Sequence, residues 1–86
     1  MSESIETVRN LGPKTAAALA DVGIHTRADL EAAGAVEAFI RLKARAGNVS
    51  LNALYAMQAG LMGVDWRHLP DEMRAALREA AAAAAS

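Results

Sequence analysis

The sequence predicts an all-α fold, a compact bundle of five to six short helices. Three observations predict it. Hydrophobic residues make up 53% of the 86 residues but aromatics only 3%, and alanine supplies much of the apolar content. Alanine has the highest helix propensity and buries little area, which favours short, closely packed helices. Strand formers are few and scattered. Glycine and proline punctuate the chain at short intervals, and between them apolar residues recur every three or four positions. The length sets one domain, residues 1–86, of which 79–86 form an alanine-rich helical tail.

The elements follow in order. Ser2 or Ser4 can cap a short first helix whose apolar face is Ile5, Val8 and Leu11, ending at Gly12. Pro13 suits the first position of a second helix, Pro13 to Val22, with Ala16, Leu19 and Ala20 inward. Gly23 takes the left-handed cap and Ile24 is expected in the core. Thr26 and Asp29 have capping-box spacing and open a third helix, Arg27 to about Ala33. The fourth spans Ala35 to Ala46, with Ala35, Ala38, Phe39, Leu42 and Ala46 on one face and Val36 and Ile40 beside it. Glu37 and Arg41 pair across one turn, and Gly47 and Asn48 end the helix. Ser50 caps the fifth, Leu51 to Met62, with an inner stripe of Leu51, Leu54, Tyr55, Gln58, Leu61 and Met62. Gly63 ends it, and Asp65 starts one turn within the connector to Leu69. Pro70 opens the last helix, whose inner stripe is Met73, Ala76, Leu77 and Ala80. The alanine run after Glu79 reads as a fraying extension with nothing of its own to pack.

Composition narrows the function. Net charge is −1 and the isoelectric point is near 6.1, far from the pI above about 9 of a dedicated nucleic-acid binder. Without cysteine there is no disulfide, thiolate chemistry or cysteine-based zinc site, which fits a reducing cytoplasm. The N-terminus has no signal-peptide pattern, and no apolar run reaches the roughly 18 residues of a membrane span. His25 and His68 have no clustered partners for a metal. There is neither a Gly-rich loop leading to Lys-Ser/Thr nor a Gly-x-Ser-x-Gly elbow. The expectation is a non-enzymatic protein without a cofactor.

The most informative stretch runs from Val8 to Leu30. Two helices meet at Asn10-Leu11-Gly12-Pro13, and Gly23-Ile24 leads to a third helix capped by Thr26. This resembles a helix–hairpin–helix unit, with Leu11 and Gly12 as the hydrophobic and second glycine of its hairpin and Ala16 or Ala17 as its buried small residue. Such a hairpin points backbone N–H groups outward at a helix N-terminus, an anion site suited to a DNA phosphate. Leu11, Gly12, Lys14 and Thr15 are the candidate contacts. Asn10 stands in place of the first glycine. It tolerates a left-handed turn, but its side chain is expected to crowd the approach of a phosphate.

Over Val8 to Leu77 the sequence resembles the C-terminal domain of the TfoX family of competence regulators. The marks are Asn10-Leu11-Gly12-Pro13-Lys14, Gly23-Ile24-His25-Thr26, Asp29-Leu30, Gly34-Ala35, Leu51-Asn52 with Leu54-Tyr55-Ala56, and Asp65-Trp66 with Leu69-Pro70. The resemblance implies a helix–hairpin–helix/SAM-like fold and a link to DNA-uptake genes and transcription. The α/β domain that often precedes this unit is not in the chain, so a stand-alone unit is expected. Together these readings point to a cytoplasmic regulatory module that binds a transcription-related protein partner. Weak, sequence-nonspecific DNA binding through the hairpin is the alternative, and homo-oligomerisation is compatible with so small a core. Arg41, Lys43 and Arg45 form a basic cluster near the end of the fourth helix. With Trp66 they are the candidate partner-binding residues, although their spacing fans the three cations around the helix, and Trp66 also reads as a structural plug between the fifth and the last helix. Tyr55 and the methionines Met57, Met62 and Met73 read as core.

Overall fold

Helical propensity and glycine punctuation yield five α-helices in a computed structural model that describes residues 4–47 and 49–85. They are α1 (Pro13–Asp21), α2 (Arg27–Ala33), α3 (Ala35–Ala46), α4 (Leu51–Met62) and α5 (Asp71–Ala85). Short 3-10 turns at Ile5–Thr7 and Trp66–His68 precede α1 and α5. No strand occurs among the described residues, whose only bridge joins Ser4 to Thr26. The Cα radius of gyration, 11.8 Å, agrees with the roughly 12 Å of a compact chain of this length. The expected cap Ser2 and the expected helix end Asn48 lie outside the described residues.

Packing centres on α3, which lies against α1, α2, α4 and α5. Leu19 of α1, Ile24 of the loop after it, Leu30 of α2 and Leu54 and Met57 of α4 are fully buried, and with Ala38 of α3, also 0% exposed, they tie α1 to α4 into one core. Ile24 is 1% exposed, as its place after Gly23 predicts. Boundaries of α2, α3 and α4 agree with the sequence reading, because each ends at a positive-φ glycine: Gly34, Gly47 and Gly63. Helix α1 ends one residue earlier than expected, with Val22 as its cap.

The Thr26–Asp29 capping box forms as the spacing requires. Asp29 N–H donates to Thr26 Oγ1 (3.1 Å) and Thr26 N–H donates to Asp29 Oδ2 (3.2 Å). His25 N–H also donates to Asp29 Oδ2 (3.0 Å). That bond from His25 is the leading cause holding the Asp29 carboxyl below its ordinary value of 3.8. A depressed carboxylate contributes stability above its unfolded pKa and loses it as pH falls through the folded value. Two results are expected. Thr26→Ala lowers stability by about 1 kcal/mol in urea unfolding at pH 7. Asp29→Asn shifts the urea midpoint at pH 7, and the shift shrinks below about pH 4.

Six expectations need correction. The first segment is a 3-10 turn and not an α-helix. Ile5, Val8 and Leu11 are nonetheless all buried, Ile5 from the 3-10 turn and Val8 and Leu11 from the hairpin that follows it. Its course is set by backbone bonds to the segment after α1, including Ile5 N–H to His25 O (3.0 Å). Ser50 occupies the N-cap of α4 without making the side-chain cap bond. Ala46 is exposed, and α4 is not one-sided: Met57, Ala59 and Gly60 are buried with Leu54 and Tyr55, whereas Leu51 and Met62 are 40% and 45% exposed. The inner stripe of α5 is Met73, Leu77 and Ala81, with Ala76 and Ala80 exposed. Ala81 packs in the core, so the alanine run has a partner after all.

Candidate interaction surfaces

The exposed Leu51 is explained by a cleft. Helices α3 and α5 pack side by side, and the start of α4 closes one end. Phe39, Ile40, Lys43 and Ala44 form one wall, Ala81, Ala82 and Ala84 the other, and Leu51 the end, around about 450 Å³. The short alanine side chains of α5 leave this space, because no larger group projects from that wall. Lys43 is the one charged residue in the lining, and its ammonium lies 5.7 Å from the centre of the Phe39 ring. The cleft is therefore apolar with a cationic rim.

The sequence placed Lys43 among the candidate contacts but missed Ile40, Leu51 and the alanine wall. Leu51 was read as core because it falls in phase with Leu54 and Tyr55. The available signal was that α4 is apolar nearly all round, so some of its apolar residues had to lie outside any single buried face. The other candidates do not converge on the cleft. Arg41 approaches Glu37 (3.9 Å), as the spacing predicts. Arg45 is exposed at the end of α3. Trp66 lies in the connector before α5, partly buried against the core, and does not line the cleft.

Trp66 instead belongs to an aromatic–arginine stack. The Arg74 guanidinium lies 5.3 Å from the Tyr55 ring centre and 5.7 Å from that of Trp66, and it donates to Trp66 O (2.9 Å). Arg78 donates to the Tyr55 hydroxyl (3.1 Å), the polar partner this buried tyrosine needs. Beside it, Asp65 accepts from Arg67 N–H (2.9 Å) and starts the 3-10 turn, as expected. The Arg67 guanidinium is the main cause that holds the Asp65 carboxyl far below the usual carboxylate range.

At the hairpin, Gly12 and Lys14 are exposed, Thr15 is half-buried and Leu11 is buried. Leu11 N–H is already bonded to Val8 O (3.1 Å), so its contribution is to anchor the turn. Gly12 is the N-cap of α1 and carries no capping side chain. Lys14 and Thr15 border a second cleft of about 350 Å³, shared with Ala46, Val49, Ser50 and Ala53. Asn10 departs from expectation. It adopts φ 74°, as the left-handed turn requires, but its amide is engaged elsewhere. Asn10 Nδ2 donates to Val64 O (2.8 Å), and its Oδ1 accepts from Trp66 N–H (3.3 Å). The side chain fastens the hairpin to the connector after α4, and the space beside Gly12 is open.

Arg27 is a further residue that sequence reasoning passed over. Its guanidinium donates to Gly60 O (3.3 Å) and Leu61 O (2.9 Å) and pairs with Glu31 (2.9 Å). It thus supplies donors to carbonyls of the last turn of α4, adding to the bond that Gly60 O already accepts from the capping Gly63 N–H (3.1 Å). His25 and His68 are exposed, and among the described residues no three His, Asp or Glu side chains cluster as a metal site requires. No helix among them is long and apolar enough to cross a membrane.

Residues 1–81 match the family described as the TfoX C-terminal domain. The chain belongs to this family. The match spans the hairpin, all of α1 to α4 and most of α5, in agreement with the sequence resemblance. Two solved structures from Listeria monocytogenes share the fold. An uncharacterized protein in a triclinic form is 27% identical with a TM-score of 0.83, over 87% of this chain and 85% of its own. A protein of unknown function in a tetragonal form is 26% identical with a TM-score of 0.84, over 88% of this chain and 94% of its own. No curated protein matches the sequence. The TfoX C-terminal fold in this chain combines a hairpin tied down by Asn10 with an open apolar cleft between α3 and the end of α5.

Proposed function

We propose that this TfoX C-terminal domain is a non-catalytic regulatory module of the cytoplasm that binds a protein partner through the α3–α5 cleft. The observation that carries the reading is the cleft itself: about 450 Å³ lined by Phe39, Ile40, Ala44, Leu51 and alanines, with Leu51 40% exposed. Apolar concavities with a polar rim favour macromolecular or ligand contact, because filling them removes apolar surface from water. Asp29 and Asp65, the carboxylates shifted from their ordinary values, are both engaged in helix or turn capping. Family membership supports a partner connected with transcription.

The test is a two-dimensional amide spectrum of the ¹⁵N-labelled domain in nuclease-treated bacterial extract. Selective broadening at Ile40, Lys43, Ala44, Leu51 and Ala81 is the expected result, and loss of that broadening in Leu51→Glu is expected with it. Uniform spectra, or broadening confined to the hairpin, would contradict the reading.

A second reading is favoured by the placement of Asn10. Its side chain turns to Val64 and Trp66, which leaves open space beside Gly12 at the N-terminus of α1. A DNA phosphate placed there meets the first-turn N–H groups and Lys14. This reading predicts duplex binding that weakens steeply between about 50 and about 200 mM salt and is lost in Lys14→Glu. Fluorescence anisotropy of a labelled duplex measures both.

A further inference from the structure

The shape and charge of the cleft define its occupant, granted that the cleft is the docking surface. We infer that it takes an amphipathic helix of the partner, with leucine-sized side chains on one face and acidic residues flanking them. Three features argue this. First, the two long walls are helices, α3 and α5, and a groove between neighbouring helices fits a third laid along it, as in helix-in-groove recognition. Second, Ala44, Ala81 and Ala84 are short, so an incoming backbone approaches the walls closely while Phe39, Ile40 and Leu51 receive its large side chains. A volume of about 450 Å³ holds a few such side chains and not a folded loop. Third, the electrostatics have one sign. Lys43 is the only charged group in the lining, and its ammonium sits 5.7 Å from the centre of the Phe39 ring at the rim. The C-terminal end of α3 is held at Gly47 by a bond to Lys43 O (2.8 Å), which fixes the backbone that carries Lys43. A helix with glutamates or aspartates beside its apolar stripe complements this rim, whereas a basic amphipathic helix is repelled by it.

The occupant is tested by selecting from a phage-displayed library of random 16-residue peptides on the immobilised wild-type domain, with Leu51→Glu as the counter-selection. Leu51 is at the first position of α4, where an acidic residue suits the helix dipole, so this variant is expected to fold, and its circular dichroism checks that. Enriched peptides are expected to carry apolar residues at i, i+3 or i+4, and i+7, and net negative charge. They are expected to bind Leu51→Glu at least about 30-fold more weakly, the loss expected when a charge replaces an apolar anchor. Lys43→Glu is expected to weaken them by about tenfold and to favour basic analogues, as reversal of a rim charge does. Failure to enrich any peptide, enrichment without helical periodicity or acidic bias, or retention by Leu51→Glu overturns the inference. If the extract experiment still broadens the cleft resonances, the inference alone falls. If those resonances are also unaffected, the docking surface falls with it.

Discussion

Replacing Gly60 with alanine is expected to destabilise the domain by about 2–3 kcal/mol and to lower Tm by roughly 10–20 °C. Inside most helices the same change is favourable by about 1 kcal/mol, because glycine loses more backbone entropy on folding. Here the sign reverses. A Cβ at position 60 lies 2.6 Å from Arg9 O and 2.7 Å from Val8 Cγ1. The first is a backbone atom of the hairpin, and the second belongs to a β-branched residue that is 3% exposed. Neither moves cheaply. Helix α4 cannot retreat freely either, since Arg27 holds the carbonyls of Gly60 and Leu61. The steric cost therefore exceeds the propensity gain. Thermal and urea unfolding measure the effect, and a variant as stable as the wild type would show that α4 and the hairpin are not in close contact.

Asn10→Ala is expected to cost about 3 kcal/mol. Two hydrogen bonds are lost, each contributing about 0.5–1.5 kcal/mol, and Val64 O and Trp66 N–H are left part-buried without those partners. Alanine at φ 74° adds about 1 kcal/mol that asparagine largely avoids. Asn10→Gly separates the two contributions, because glycine relieves the backbone and supplies no amide. It is expected to cost about 2 kcal/mol. Equal losses for Ala and Gly would remove the backbone contribution, and a loss below about 0.5 kcal/mol for Ala would remove the staple altogether.

Local signals were legible in the sequence. Thr26, Asp29, Gly34, Gly47 and Gly63 act within one turn of their own positions, so the capping box and three helix boundaries could be read directly. What depended on distant partners could not. Asn10 was recognised as a residue fit for a left-handed turn, but its amide partners lie more than fifty positions away, so its role as a fastener was invisible. The same holds for Arg27 and for Gly60, whose significance comes from Arg9. The register of α5 was read one residue out, with Ala80 in place of Ala81, because an alanine run offers no contrast in size or polarity from which to choose a face. The first segment was read as an α-helix because Ile5, Val8 and Leu11 keep helical spacing, although only Ile5 lies in the 3-10 turn.

The candidate site shows the same division. Lys43 could be named from the basic end of α3. The cleft beside it could not, since its walls come from three helices and its volume arises from the absence of large side chains on α5. Trp66 drew attention as the single tryptophan, yet its ring is taken up by Arg74 and the core.

The central claim, that the domain engages a protein at the α3–α5 cleft, is tested most directly by site-specific photo-crosslinking in bacterial cells. A benzoylphenylalanine is placed at Leu51 in the cleft and, separately, at Lys14 on the hairpin. A discrete protein adduct formed from position 51, absent from position 14 and abolished when Ala44→Arg fills the cleft, is the predicted result. Equal labelling from both positions, or an adduct from position 14 alone, would contradict it.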